Sequence, residues 1–169
     1  MKRTCIMVLL VTLLMTAALS GCSNPTNELQ VALQDYVKMV DGDCPEDLRL
    51  TIYYIDPAIL TRKPLTAEEL KDFPGVQTIT VEAEELAKHF ETFQKLTPSA
   101  LKSVEENSGI NARLYYVFET GDAGKILEVI ICDSHSSVFV NGIEVENNSV
   151  FYELIEPFLS EEDRNVLGI

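Results

Sequence analysis

Apolar residues recur at three- and four-residue intervals in several stretches of this chain, and that spacing predicts amphipathic helices. Asn27 is suited to cap the first helix, because its side-chain oxygen can accept from a backbone N–H of the first turn. Thr66 and Glu69 match the capping-box pattern of reciprocal hydrogen bonds. Ser160, with Asp163 three positions on, can begin one more helical turn near the end of the chain. The predicted helices are 27–40, 66–71, 82–96, 98–106 and 149–158.

Runs rich in β-branched and aromatic residues, bounded by glycine, proline or asparagine, predict strands. They are 48–55, 76–81, 112–119, 125–132, 137–140 and 143–145. Asn141-Gly142 separates the last two and predicts a type I′ hairpin, because both central residues of that turn have positive φ. The glycine-bounded segment 121–124 predicts a second hairpin. The short strand 76–81 is expected at an edge of the sheet.

The order of these elements indicates the fold class. Helices are grouped early in the chain and strands late, which is typical of α+β proteins. The chain length fits one hydrophobic core better than two lobes. We therefore expect a single domain over residues 28–169, in which an antiparallel sheet of about four to six strands is packed by helices on one face.

The first 22 residues follow a different pattern. Lys2 and Arg3 precede an uncharged apolar run, 5–19, and small residues then lead to Cys22. The run is shorter than the roughly 20 residues that a membrane-spanning helix needs. A basic start, an apolar centre and small residues before a cleavage point are typical of a secretory signal. The alternative is a buried N-terminal helix that ends in Ser-Gly-Cys.

The sequence Leu19-Ser20-Gly21-Cys22 resembles the lipobox of bacterial lipoproteins. In that family the cysteine receives a diacylglycerol and the mature chain starts there. The resemblance implies a signal peptide at 1–21, a lipidated tether at 22–27, and Cys22 as the site that carries acyl chains such as palmitate. It also implies a location at the cell membrane, on the extracytoplasmic side. The plan of the remaining domain is similar to that of small bacterial lipoproteins of unknown role, which implies no activity.

The chain is strongly acidic, with 13 basic and 27 acidic residues among 169. Cleavage before Cys22 removes Lys2 and Arg3, so the formal net charge changes from −14 to −16. A charge of this sign repels nucleic acids and anionic headgroups, so we expect no nucleic-acid partner and membrane attachment through the lipid alone. The acidic surface serves either solubility or the attraction of a basic partner.

Cys44 and Cys132 are the other two cysteines of the mature chain. Outside the cytoplasm such a pair can form a disulfide, and this one would close a long loop. The alternative is two thiols, with Cys132 acting as a small apolar strand residue. The distance between them is not readable from the sequence, so both interpretations stay open.

The residue combinations of common catalytic sites are scarce. His89 is expected on the polar flank of a helix and His135 in a serine-rich loop, and neither accompanies a Gly-x-Ser-x-Gly elbow. The chain contains no glycine-rich phosphate loop. We therefore assign no catalytic residue and no cofactor.

An acidic turn offers one metal candidate. Four carboxylates surround Gly42, and calcium requires only oxygen ligands. The twelve-position loop with its terminal glutamate is missing, and a solvated acidic turn is the alternative. The candidate calcium ligands are Asp41, Asp43, Glu46 and Asp47.

These observations favour an anchored binding or interaction module over an enzyme. Its ligand is unknown, and a protein or another envelope component is the expected partner. The alternative is a cell-envelope hydrolase that uses carboxylates in a cleft. An exposed aromatic face would favour binding, and a deep cleft with two carboxyls would favour hydrolysis. Strand aromatics that could form such a face are Tyr53, Tyr54, Tyr115, Tyr116 and Phe118.

Overall fold

The structure is a computed structural model that describes residues 25–104, 109–132 and 137–169. The signal segment, Cys22 and His135 lie outside the described residues, so the expectations for them stay predictions. The helices are α1 (Pro25–Ala32), α2 (Gln34–Val40), α3 (Ala67–Lys71), α4 (Ala83–Ala87), α5 (Phe90–Phe93), α6 (Val150–Glu153) and α7 (Glu161–Leu167). The strands are β1 (Arg49–Tyr54), β2 (Gln77–Glu82), β3 (Ala112–Thr120), β4 (Gly124–Cys132), β5 (Ser137–Val140) and β6 (Ile143–Glu146).

The six strands form one antiparallel sheet in the order β2-β1-β3-β4-β5-β6. Asn141 (φ 46°) and Gly142 (φ 82°) make the predicted hairpin turn, with both residues in the left-handed region. The expected edge position of the strand after residue 76 is confirmed, since β2 is outermost. The chain is therefore an α+β domain built on a single antiparallel sheet.

The first predicted helix is present but begins earlier than the sequence indicated. α1 starts at Pro25, so Asn27 lies inside the helix and the interpretation of Asn27 as its N-cap is wrong. The helix is interrupted at Leu33 and resumes as α2. The Leu33 N–H donates to the Leu29 carbonyl at 3.0 Å and its carbonyl accepts from Val37 N–H at 2.9 Å, so Leu33 is bonded to both parts.

The continuous helix predicted over 82–96 is wrong. Glu82 ends β2, and the helical segment divides into α4 and α5 where His89 leaves helical geometry at φ −118°. Leu86, Phe93 and Leu96 are all fully buried. The carbonyl of Phe93, at the end of α5, accepts from the Tyr36 hydroxyl at 2.8 Å. The two short helices are therefore fixed by tertiary contacts, which override local helix propensity.

The helix predicted over 98–106 is also wrong within its described part. A single 3₁₀ turn, Pro98–Ala100, is followed by extended chain that lies against β6. Glu146 N–H donates to the Lys102 carbonyl at 2.8 Å, and Val104 N–H donates to the Glu144 carbonyl at 3.0 Å. An open strand edge offers these groups better partners than an isolated exposed helix would, so tertiary pairing overrides the helical signal.

The sheet separates two apolar cores. The larger lies under the helices and contains alternate strand residues such as Tyr116 and Phe118. The smaller lies on the other face, where Tyr115 and Val117 pack beneath the segment that carries α3. The predicted capping box of α3 is present, with Thr66 and Glu69 bonded reciprocally. Helices therefore pack mainly on one face of the sheet, as expected for the fold class.

Candidate functional site

A cleft of about 400 Å³ opens where the end of β1, the start of β2 and helix α7 meet. Three separate stretches of the chain supply its walls, so the cleft exists only in the folded domain. Its size lies within the range of small-molecule sites. The lining residues are Tyr54, Asp56, Ile59, Gly75, Gln77, Glu162, Asp163 and Val166.

Two tight turns shape the sheet side of the cleft. Asp56 is the second residue after β1, and its carboxylate accepts from the Ala58 N–H at 2.8 Å, which reverses the chain locally. The second turn leads into β2, where Val76 N–H donates to the Phe73 carbonyl at 3.1 Å and Gly75 takes φ 89°. Only glycine adopts that φ without strain, and Pro74 before it completes the predicted turn.

Helix α7 forms the opposite wall and is fixed at its first turn. Ser160 is the N-cap, and its hydroxyl and backbone N–H both donate to Asp163, at 2.7 and 3.0 Å. The Ser160 hydroxyl also accepts from the Asp163 N–H at 3.1 Å, which completes a capping box. The helix ends at Gly168, whose φ of 71° lets the chain turn out of the helix. The expected turn at Ser160 is thus a full helix.

One hydrogen bond joins the two walls. The Tyr54 hydroxyl donates to the Asp163 carboxylate across the base of the cleft. Burial, and then this bond, raise the pKa of Tyr54, so the phenol keeps its proton. The bonds from Tyr54 and Ser160 lower the pKa of Asp163, so this carboxylate is ionised at neutral pH. The bond from Tyr54 to Asp163, together with the burial of Leu167 in the larger core, holds α7 on the sheet.

The cleft is acidic. Three of its lining residues are carboxylates and none is basic, and both Asp56 and Glu162 are exposed at its rim. A concave surface of one sign attracts ligands of the opposite sign and repels anions. Gln77 adds an amide, so the cleft can bind ammonium groups and hydroxyl donors, and it disfavours phosphate and carboxylate ligands.

The calcium candidates are not brought together. Within the described residues there is no group of three or more His, Cys, Asp or Glu that could hold a metal ion. Asp47 instead accepts from the Gly121 N–H at 2.7 Å and so braces the turn between β3 and β4. Asp41, Asp43 and Glu46 are exposed, as a solvated acidic turn requires.

Cys44 and Cys132 lie on opposite faces of the sheet. Cys44 packs against the larger core, and its thiol is 3.8 Å from the Pro45 carbonyl. Cys132 is part of the smaller core. The sheet stands between the two side chains, and no disulfide joins them in the described structure. Burial raises the pKa of the Cys44 thiol.

Of the two histidines considered as catalytic bases, His89 lies within the described residues. His89 packs edge-on against Phe158, with ring centroids 5.4 Å apart, and its Nε2 is 4.0 Å from a carboxylate oxygen of Glu85. Neither neighbour is a serine, cysteine or threonine that the imidazole could activate, so His89 has the surroundings of a packing residue.

The strand aromatics do not form an exposed face in the described part of the chain. Tyr54, Tyr116 and Phe118 point into the larger core. On the other face Tyr53 stacks on Tyr115 with centroids 5.9 Å apart, and Tyr115 is only 1% exposed. The Lys71 ammonium covers this pair, 5.0 Å from the centroid of the Tyr115 ring. Both faces of the sheet are therefore covered where these aromatic side chains lie.

Sequence reasoning missed Tyr54 and Asp163 as partners because they are 109 residues apart. The sequence shows the Ser160 and Asp163 pair that begins α7. It does not show that the Asp163 carboxylate also accepts a hydrogen bond from Tyr54.

A second depression of about 540 Å³ is shallower and is lined by residues 147–149 and the chain end, among others.

No protein-family model, no curated protein and no solved structure matches this chain. In the described ranges, none of the helices is both long and apolar enough to cross a bilayer.

Proposed function

We propose that this chain is a lipid-anchored extracytoplasmic binding protein and that the acidic cleft holds its ligand. The proposed location at the cell membrane rests on the sequence Leu19-Ser20-Gly21-Cys22, which resembles a lipobox. Two acyl chains on Cys22 would hold the protein at the membrane, because each buried CH₂ contributes about 0.8 kcal/mol. The acidic domain would add no attraction to anionic headgroups.

The convergence of three chain segments on one acidic cleft is the observation that carries the binding role. A cavity of this size, fixed by a hydrogen bond between its walls, is preorganised for a small ligand. The ligand class that fits is a small organic cation or a hydroxyl-rich molecule carrying an ammonium group. Asp56 and Glu162 would supply the charge and Gln77 the hydrogen-bonding amide.

The same carboxylates keep a hydrolase as the second candidate. Glycoside cleavage by paired carboxylates needs one of them protonated at the working pH, so that it can act as general acid. Asp163 does not suit that role, because the bonds from Tyr54 and Ser160 lower its pKa. The general acid of a hydrolase would therefore have to be Asp56 or Glu162, whose carboxylates are exposed to water.

Metabolic labelling with a palmitate analogue tests the anchor. The wild-type chain is expected to carry the label and to fractionate with membranes, and Cys22→Ser is expected to abolish both. Cys44→Ser is the matched control, because it removes a cysteine outside the lipobox and should keep the label. A Cys22→Ser chain that still carried the label would overturn the lipid assignment.

Calorimetric titration tests the cleft, with spermidine as the probe and a neutral disaccharide as the comparison. Glu162→Gln is expected to weaken spermidine binding about fivefold, since one charge contact near water is worth about 1 kcal/mol. Asp122→Asn, in the turn between β3 and β4, removes an equal charge far from the cleft and should change binding little. Equal weakening by both variants would mean that spermidine senses only net charge. Hydrolysis of envelope glycans that depends on both Asp56 and Glu162 would favour the second candidate.

A further inference from the structure

Helix α1 begins the described chain at one edge of the sheet. Leu29 and Leu33 anchor it in the larger core, and the Asn141 side-chain amide donates to the Ala32 carbonyl at 2.6 Å. The helix therefore lies beside the β5–β6 hairpin. A shallow groove of about 380 Å³ runs between α1 and Ile143, the first residue of β6. Val31 stands on the rim of this groove and is 66% exposed.

The acidic cleft is at the other edge of the sheet. Tyr54 is the last residue of β1 and Gln77 is the first of β2, the outermost strand on that side. Four strand-to-strand steps separate β1 from β6, which at about 4.8 Å each amounts to roughly 19 Å across the sheet. The point where the chain enters the domain and the mouth of the cleft are thus on opposite edges.

The chain between Cys22 and α1 is short, so the distance between the lipid site and the start of the helix is limited. Cys22 is three residues before Pro25, so their Cα atoms can be at most about 11 Å apart, at about 3.8 Å a step. A lipid on Cys22 places that residue at the bilayer surface. The start of α1 must then lie close to the headgroups, whereas the cleft can lie about a sheet width further out.

We propose that the groove between α1 and Ile143, with Val31 on its rim, rests on the bilayer surface, and that the acidic cleft opens away from the membrane. This inference rests on the proposed function, because it requires the lipid on Cys22. Glu28 also lines the groove, so the fitting surface is one of zwitterionic lipid, against which Val31 and Ile143 bury apolar area. The partner or ligand of the cleft then approaches from the medium.

Depth-dependent fluorescence quenching tests this orientation. The full mature lipidated protein, in a Cys44→Ser background, receives a fluorophore at Val31→Cys or at Thr78→Cys, an exposed residue of β2 beside the cleft. Each labelled protein is incorporated in phosphatidylcholine vesicles with and without nitroxide lipid. The label at residue 31 is expected to lose most of its emission to the nitroxide, and the label at residue 78 to lose almost none. Asn27→Cys, also exposed on α1, is the second variant for the proximal edge.

Two results would overturn the proposed orientation. One leaves the lipid anchor intact and the other removes it. Equal quenching at both edges, or stronger quenching at residue 78, in protein whose mass shows the lipid on Cys22, would refute the orientation and leave the anchor intact. Protein without lipid on Cys22 would remove the anchor and the orientation together. The mass of each preparation therefore separates failure of the inference from failure of the proposed function.

Discussion

The two edges of the sheet are finished in different ways. At the β6 edge, the backbone of residues 102–104 bonds to the strand, and the Asn141 side chain connects the final hairpin to α1. At the β2 edge no other described strand pairs with the outermost strand, and the cleft opens beside it. The first edge is closed by main-chain hydrogen bonds, with an ion pair between Lys102 and Glu146 at 3.3 Å beside them. At the second edge the hydrogen bond from Tyr54 to the ionised carboxylate of Asp163 links α7 to β1, so a ligand or a change of pH there acts on the wall of the cleft.

Substitution of Asn141 is expected to cause the largest loss in the free energy of unfolding, because this residue stabilises the closed edge through both its side chain and its backbone conformation. Its side chain accepts from Glu128 N–H at 2.7 Å and donates to the Ala32 carbonyl, and its φ is positive. Asn141→Ala should lower the free energy of unfolding by about 3 kcal/mol, through unsatisfied partners and a strained φ. Urea denaturation measures this. Asn141→Gly keeps the φ and loses only the side chain, so it should cost less, and equal costs would refute the role of positive φ.

Tyr54→Phe, at the open edge, is expected to cause the next largest loss in the free energy of unfolding. It removes the hydroxyl that holds Asp163, and hydrogen bonds to charged groups contribute about 1.5–3 kcal/mol. Denaturation of the variant should show a loss in that range. Tyr53→Phe is the matched control, since the ring of this tyrosine stacks on Tyr115 and its stacking survives loss of the hydroxyl. A Tyr53 variant as unstable as the Tyr54 variant would contradict the assignment.

Acid should weaken the hydrogen bond between Tyr54 and Asp163 at the open edge. The folded pKa of Asp163 lies below its ordinary value of 3.8, so its contribution is complete above that value and is lost as the pH falls through the folded pKa. Unfolding free energies measured at a series of pH values should therefore fall less steeply with acid in Tyr54→Phe than in the wild type. The loss caused by Asn141→Gly should be the same at each pH, because no ionisable side chain takes part. A parallel acid dependence in Tyr54→Phe and wild type would refute the role of Asp163.

The smallest effect is expected at Cys44. Its thiol makes only long contacts to carbonyl oxygens, so Cys44→Ser should change the free energy of unfolding by less than about 1 kcal/mol. Loss of a native disulfide would cost about 2–5 kcal/mol instead. A loss of that size under non-reducing conditions, absent after reduction of the wild type, would mean that Cys44 and Cys132 pair across the sheet.

Local signals in the sequence were sufficient where a short stretch decides its own structure. The Asn141-Gly142 turn needs positive φ at both positions, and the box of Thr66 with Glu69 satisfies its own backbone groups. Both predictions are confirmed for that reason. The paired strands around 121–124 follow the same logic, because a hairpin brings its own partner strand.

Predictions failed where a distant partner competes with local propensity. The helix expected after Pro98 is replaced by extended chain because β6 offers backbone partners more than 40 residues away, as at Ser103 and Val145. The helix expected over 82–96 divides at His89, and the end of α5 is held by a hydrogen bond from Tyr36, more than 50 residues away. The cleft follows the same rule. Its acids were visible in the sequence, but their meeting depends on the pairing of Tyr54 with Asp163.

The proposed location and orientation of the protein both require a lipid on Cys22. Intact-mass spectrometry of the protein purified from its native membranes tests this directly. The expected result is a chain of 148 residues that begins at Cys22 and carries the added mass of a diacylglycerol. A chain that begins at Met1, has its unmodified mass and is recovered in the soluble cytosolic fraction would contradict the account.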